Sequence, residues 1–485
     1  MSAVERIGES KALHRIGDRL ARQARTAPWR APDGVGFMRT DAGNGEYFAR
    51  LYGDRLRFDH RRGRWLVWAD HWWRGDDTRQ VRRLAKEAAR ARYQGATAIS
   101  DLRERTDEAR FAIATESRQR LDAMLIGAQS EPPVADAGDR WDGDPWLLGV
   151  GNGVLDLRTG LLRPGSPADR ITLHTDVPYA RDATCPRWEL FLDEVFAGDE
   201  ELVDYIGRAV GYSLTGQTTE QCVFLGFGSG ANGKSVFLTV LRALAGEYAT
   251  NTPFSTFELN ARASIPNDLA ALAGRRLVTA SETNEGARLN ESRLKALTGG
   301  DAITARFLHG EFFTFEPVAK FWLAVNHKPA VSDDSYGFWR RVRLVPFTRQ
   351  FTYDADPTLA GTLLGELPGI LAWALRGALA WQDRGLEPPA SVSAATETYR
   401  AESDPLGDYV GACCVTGEAL DVGATEAYRA YRAWAANEGF AERETLTATK
   451  FGRRMKERFS SAHRKSGNVY LGVGLRVLDH AEDGR

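Results

Sequence analysis

The stretch CVFLGFGSGANGKSVFLTVLRALAG, residues 222–246, constrains this chain more than any other. An apolar run, 222–228, reads as a short strand, and an apolar helical pattern, 235–246, closes at Gly246. Between them, Gly228-Ser229-Gly230-Ala231-Asn232-Gly233-Lys234-Ser235 meets every fixed position of the pattern G-x-x-x-x-G-K-[ST]. Glycines at such a turn let successive backbone N–H groups point at phosphate oxygens, and the N-terminus of the following helix adds partial positive charge. The spacing predicts a nucleoside triphosphate site in which Lys234 reaches the β- and γ-phosphates and Ser235 ligates Mg²⁺. Strand, glycine loop and helix in that order imply an α/β core.

The 485 residues suffice for roughly two to four domains. The formal net charge of −2 carries no overall basic excess, so any contact with nucleic acid has to rest on local patches. Cys185, Cys222, Cys413 and Cys414 form no C-x-x-C pair, so they read as reduced thiols rather than zinc ligands. The charged N-terminus lacks the apolar segment of a secretory signal, and no run of about 18 apolar residues occurs. These features predict a cytoplasmic protein with no membrane partner.

Residues 1–40 read as an Arg-rich leader. In 54–77, tryptophan and β-branched runs cut by turn signals predict a three-stranded meander. Trp65, Trp68, Trp72 and Trp73 suit either base stacking or a small aromatic core, and we read them as core. Residues 78–128 show amphipathic helical spacing, and 147–164 reads as strand, turn at Thr159-Gly160, strand. The expected domains are 41–185 (mixed α+β), 186–385 (the motor, core 216–350), a linker at 386–403, and a C-terminal domain at 404–485.

A nucleotide-hydrolysing site also needs a carboxylate at a neighbouring strand end. Leu277–Ala280 is a buried-strand pattern and Glu282 follows it, suited to polarise the attacking water or hold the metal's water shell. Glu285 is the second choice. A third strand, KFWLAVN, ends in Asn326, whose amide suits orienting that water. Arg340, Arg341 and Arg343 cluster before another apolar strand, where an arginine finger for a neighbouring subunit is expected; Arg340 and Arg341 are not separable by residue type.

The series of the phosphate loop, ASE, LKALTGGDAITARFLHGEFFTFEP, FWLAVNHKP and GFWRRVRLVPF resembles the superfamily III helicases. It is most similar to the helicase portion of phage and plasmid primase-helicases, the group related to poxvirus helicase-primase. The likeness runs upstream through TDAGNGEYFARLYGDRLRF and GVGNGVLDLRTGLLRP, and downstream through DPLGDYVGACCV and TKFGRRMKERF. It implies an AAA+ P-loop core with flanking helices that forms a ring, usually a hexamer, and translocates on single-stranded or forked DNA by hydrolysing ATP between subunits. It also implies a hairpin, strands 304–308 and 312–315, whose tip enters the channel. Here His309 falls at the tip, where many relatives carry lysine, with Arg306 and Lys295 near it in sequence.

The tail looks like a winged helix. Its recognition helix, 445–459, crowds Lys450, Arg453, Arg454, Lys456 and Arg458, and its wing, 463–475, turns at Ser466-Gly467-Asn468. That set suits duplex phosphates. About 40 residues precede TDAGNG, fewer than a polymerase-type primase domain needs, so the expectation is a phage, prophage or plasmid helicase that works with a separate primase. The alternatives are primer synthesis hidden in 40–185, an ATP-assembled replication initiator, and a defence NTPase on the same core.

Overall fold

The computed structural model describes residues 36–259, 267–282, 286–308, 310–331, 333, 335–352, 356–439, 445–465 and 467–476. Most of the expected leader, His309, Glu285 and Ser466 lie outside them. The chain divides into two compact units. One runs to Gly143 and takes in Gly165–Thr172; the other comprises Asp144–Pro164 and everything from Leu173 on.

In the first unit, α1 (Asp41–Tyr52) starts at Thr40, whose side chain accepts from the Gly43 N–H. The expected meander forms as β1 (Leu56–Asp59), β2 (Arg64–Ala69) and β3 (Trp72–Gly75), antiparallel neighbours. Helices α2 (Gln80–Gly95), α3 (Leu102–Thr115) and α4 (Arg118–Ala128) follow, and β4 (Ala135–Asp136) pairs parallel with β1. Trp73 is fully buried, with its ring 5.3 Å from Trp68 and 5.8 Å from Trp141, and its indole N–H donates to Pro167 O. These tryptophans fill a core.

A buried ion pair holds the helices of this unit together. Arg92 on α2 is 1% exposed and pairs with Glu108 on α3. It also donates to Asn44 Oδ1 at 3.0 Å and to Phe37 O at 2.9 Å, and its guanidinium lies 4.8 Å from the Phe111 ring centre. Donor contacts to Glu108, Asn44, Phe37 O and Met38 O, together with an aromatic face, replace the water this cation gives up.

The second unit opens with an antiparallel sheet, β5 (Leu147–Val150), β6 (Gly153–Asp156) and β7 (Leu161–Arg163). The expected domain boundary at 185 therefore falls too late. Gly149 N donates to Tyr248 Oη at 2.9 Å and Leu147 O accepts from Arg276 at 2.9 Å, so this sheet packs on the second unit's core. Next come α5 (Pro186–Val195), α6 (Glu200–Leu214), β8 (Val223–Phe227), α7 (Lys234–Ala245), β9 (Ala249–Asn251), α8 (Asn267–Ala270) and β10 (Leu277–Ser281). Then follow α9 (Glu291–Gly299), β11 (Ile303–Ala305), β12 (Phe313–Phe315), β13 (Lys320–Val325), α10 (Tyr336–Trp339), β14 (Val342–Pro346), α11 (Leu359–Gly365), α12 (Leu367–Arg384) and α13 (Ala390–Glu402).

β14, β8, β13, β10 and β9 form a five-stranded, all-parallel sheet in that order. The period of two sorts its side chains. Phe224 and Trp322, stacked 4.2 Å apart, face a core shared with α5, α6, α7 and α12. Val223, Leu225, Val278, Phe321 and Leu323 face the other core, with Phe254, Leu294 and Tyr399.

The expected linker at 386–403 is mostly α13, a packed helix. Val392 and Tyr399, seven residues apart, are buried on one face, and Thr396 between them accepts from the Leu344 N–H of edge strand β14 at 3.0 Å. Burying an apolar stripe while satisfying an edge donor turns a linker-like composition into structure. Among the described residues no single helix is long and apolar enough to cross a membrane. The pair α11 and α12 passes by composition but bends by 72°, and Leu363, Ile370 and Leu371 are core residues.

The C-terminal part has α14 (Pro405–Cys413), β15 (Cys414–Gly423), α15 (Ala424–Asn437), α16 (Ala448–Arg458), β16 (Ser461–Arg464) and β17 (Gly467–Leu475). The three strands make an antiparallel sheet in the order β15-β17-β16 over their own aromatic core of Tyr409, Tyr431, Phe451 and Tyr470.

Replacing Arg92 by Met should destabilise the first unit by about 3 kcal/mol or more, because Glu108 would stay buried with only Arg39, among the described residues, to pair it. A lowered midpoint of the first denaturant transition checks this, and Arg92→Met/Glu108→Met should recover much of the loss.

Candidate functional site at the strand ends

The glycine loop leaves the C-terminal end of β8 and turns into α7. Gly233 sits at φ 81°, and a side chain there would meet Val195 at 2.8 Å. A side chain at Gly228 would meet Asn232 Nδ2 at 2.0 Å and Phe347 O at 2.4 Å. Both positions need glycine for the loop to close. Lys234 Nζ is drawn back into the loop, donating to Gly228 O at 2.6 Å and Asn232 Oδ1 at 2.8 Å. Asn232 in turn donates to Phe347 O at 3.2 Å. Lys234 is buried among neutral acceptors, and this desolvation pulls its pKa down to about 8. Ser235 is exposed on the first turn of α7.

Glu282 follows β10 and Asn326 follows β13. The parallel register pairs Ser281 with Ala324 and Val325 with Phe227, so both residues stand beside the loop at the same end of the sheet. Glu282 Oε2 accepts from the Asn326 and His327 N–H groups, each at 3.2 Å. Its Oε1 is buried and has no hydrogen-bond partner among the described residues. Burial raises the Glu282 pKa, against the opposing pull of those two N–H donors. One carboxylate oxygen is therefore clamped and the other left free to accept. Asn326 is exposed.

The arginine cluster lies at the opposite end of the sheet. Val342 pairs with Val223 at the start of β8, and Val223 N donates to Arg341 O at 2.8 Å. At ~3.3 Å per strand residue, the five residues of β8 put these arginines roughly 17 Å from their own loop. Arg340 is exposed and donates to Gln221 Oε1. Arg341 is half-buried, donating to Thr298 Oγ1 at 3.2 Å and to Gly337 O. Arg343 is held by the carbonyls of Arg340 and Val342.

The hairpin is shorter than expected. Among the described residues strands form only at 303–305 and 313–315; beyond them Phe307 stacks on Phe313 at 5.7 Å and Arg306 lies over the Phe312 ring at 4.6 Å. Its connecting segment exposes Phe307, Leu308 and Phe312. Lys295 is committed elsewhere, to Asp333 and Ser335.

On α16, Lys450, Arg453 and Lys456 are exposed, but Arg454 is 3% exposed, on the buried face with Phe451 and Met455. Arg454 is thus a core residue rather than a surface contact. Arg458 pairs with Asp404. A cleft of about 910 Å³, containing none of the loop residues, brings Lys450, Arg453 and Arg458 opposite Lys295, Tyr336 and Arg400.

Residue patterns did not single out several participants. Gln350 donates to Ser229 Oγ at 2.6 Å and Phe351 N to Ala231 O at 2.7 Å, so the segment after β14 braces the loop. A cavity of about 240 Å³ beside Ala231 and Gly233 is walled by Phe191, Val236, Phe351 and Leu359. Gln221 had no signal beyond preceding β8.

Three families match along the chain: "D5 N terminal like" over residues 45–197, a "Family of unknown function" over 227–341, and "Poxvirus D5 protein-like" over 401–472. The "Putative helicase L207/L206" of Acanthamoeba polyphaga mimivirus is 30% identical over 56% of this chain and 30% of its own length. The "Putative helicase 022R" of Frog virus 3 is 24% identical over 61% of this chain and 39% of its own. The matches thus span about a third of these curated relatives. Among solved structures, the apo C-terminal region of NrS-1 aligns with a TM-score of 0.40 at 13% identity, covering 61% of this chain and 78% of that one. With D5-type matches on both sides of the phosphate-loop region, the chain fits the superfamily III primase-helicase family related to the poxvirus D5 protein.

Proposed function

We propose that this chain is the ATP-driven motor of a DNA helicase: an AAA+-type core that assembles into a ring, usually a hexamer, and moves along single-stranded DNA. The observation that carries this reading is the division of catalytic groups between the two ends of one sheet. Lys234, Glu282 and Asn326 share one end and Arg340 and Arg341 the other. A site divided in this way suits completion by the next subunit of a ring. The helicase names borne by the viral relatives support the same reading.

In this reading Lys234 exchanges its two neutral acceptors for phosphate oxygens of ATP. Glu282 Oε1 accepts from the attacking water while its clamped Oε2 keeps the carboxylate oriented. The Asn326 amide orients the same water. The exposed hydroxyl of Ser235 fits a Mg²⁺ ion, which would neutralise charge on the β- and γ-oxygens. The arginine from a neighbour stabilises charge on the transferred phosphoryl group.

For DNA, the 303–315 hairpin offers Arg306 and exposed aromatic surface to a single strand. The C-terminal domain has the make-up of a winged helix, with α16 offering Lys450, Arg453 and Lys456 to duplex phosphates and β16–β17 as the wing. Replication of a phage, prophage or plasmid is the setting we infer.

Unwinding of a forked duplex with ATP tests the whole reading. Lys234→Ala should abolish it, and persistent unwinding by that variant would refute the motor. Because burial brings Lys234 to about 8 while bound phosphate would raise it again, ATP binding should take up protons near and above pH 8. Affinity should therefore weaken as pH rises through that range, which calorimetry in buffers of different ionisation enthalpy will detect. Replacing Lys450, Arg453 and Lys456 together by alanine should reduce the log–log salt slope of duplex binding by about 0.9 per cation lost. Arg454→Ala should lower stability with little change in that slope.

A further inference from the structure

We propose that Gln221 is a positioning residue for Arg340, so that each subunit aims the arginine it offers its neighbour from the strand that carries its own phosphate loop. This rests on the divided site proposed above and adds which arginine acts and what holds it.

Gln221 sits two residues before β8 with φ at 49°, in the left-handed region that non-glycine residues seldom occupy. Its N–H closes a turn onto Thr218 O at 3.1 Å. That conformation points the amide at the arginine cluster. Oε1 accepts from Arg340 Nη2, and Nε2 lies 3.5 Å from Gly299 O, at the end of α9.

The neutrality of this partner matters. A carboxylate would orient the guanidinium but cancel its charge, and an incoming triphosphate would then have to displace it. The amide orients Arg340 and leaves the charge whole. Glu220, the carboxylate adjacent in sequence, is occupied instead by the Trp381 indole N–H at 2.7 Å. No carboxylate among the described residues forms an ion pair with Arg340. Arg341, by contrast, is half-buried and tied to Thr298 and Gly337 across α9 and α10. Its surroundings suit a structural clamp, whereas Arg340 is exposed and held by one side chain.

β8 is locked on both sides, to β13 and to β14, through its full length. It ends in the loop that holds one nucleotide and begins two residues after the group that aims at another. Movement of the loop along the strand axis is thus transmitted to Gln221 with little slack.

The test uses the full chain. Gln221→Asn keeps an amide and a residue type that tolerates positive φ, but is one methylene too short to reach Arg340. Turnover at saturating ATP should fall by about tenfold to a hundredfold, with nucleotide affinity within about twofold of wild type. Gln221→Gly, which relieves the backbone, should be equally slow. Mixing Gln221→Asn with Lys234→Ala should restore activity, since the second protein presents an intact Arg340 to the intact loop of the first. If Arg340→Ala mixed with Lys234→Ala shows no restoration, the divided site itself is wrong. If that pair restores activity but Gln221→Asn or Gln221→Gly turns over at the wild-type rate, only the role of Gln221 falls. Slow turnover of Gln221→Asn that mixing does not restore would place its effect within its own subunit and also overturn the inference.

Discussion

The second unit is organised by β8, sandwiched between β13 and β14. Parallel pairing puts all the C-terminal strand ends on one edge, so the phosphate loop, Glu282 and Asn326 meet without any of them being close in sequence. The same pairing carries the Arg340–Arg341 segment to the other edge. The buried faces of β8 keep this alignment rigid. Phe224 stacks on Trp322 on one side while Leu225 packs with Leu323 on the other, so a register slip of one residue would exchange the two cores.

The lower edge of the sheet uses a different device. Lys320 and Arg276 precede or open β13 and β10 and are almost wholly buried. Lys320 donates to the carbonyls of Gln217 and Val318, at 3.1 and 2.9 Å, and to Thr215 O; Arg276 donates to Leu214 O and Leu147 O, at 3.0 and 2.9 Å. Burial drives the Lys320 pKa well below its ordinary value. These side chains gather carbonyls that the turn after α6 and the start of β5 leave unpaired, which is why the β5–β7 sheet belongs with the second unit. Carbonyl dipoles stand in for water around the Arg276 guanidinium and the Lys320 amine, so the edge is polar inside yet closed.

What was legible in the sequence follows from what chemistry forces into fixed spacing. The loop has to be Gly-rich with Lys234 at its end, and Glu282 and Asn326 have to follow apolar strands, so each could be read locally. Arg340 and Arg341 could not be told apart, because the distinction lies chiefly in Thr298 and Gln221, far away along the chain. Arg454 looked like one more surface cation. Helical periodicity places it with Phe451 and Met455, on the face turned inward, while Arg453 one residue earlier points out. The 386–403 stretch reads as a linker by composition because few of its side chains are large and apolar: its helix is held by two buried anchors, Val392 and Tyr399, by the Thr396 and Tyr399 hydroxyls, and by Glu402 paired with Lys328.

The same sorting limits what α16 offers. Five cations crowd its sequence, but burial removes Arg454 and the pairing with Asp404 engages the exposed Arg458, leaving Lys450, Arg453 and Lys456. Of these, Lys450 faces the large cleft, Lys456 borders the groove formed with Asn468 and Tyr470, and Arg453 borders both. The helix therefore divides its charge between two concavities rather than presenting one continuous strip. A ligand seated in the groove beside the wing meets Arg453 and Lys456, together with the N-terminal residues Ala424 and Thr425 of α15. That face combines cations with a recess, whereas the cleft lines its cations with Asp333, Glu397, Asp404 and Glu457, whose carboxylates repel phosphate. For the duplex contact proposed above, local charge balance makes Arg453 and Lys456 beside β16–β17 the stronger phosphate partners, with Lys450 adding to them from the rim of the larger cleft.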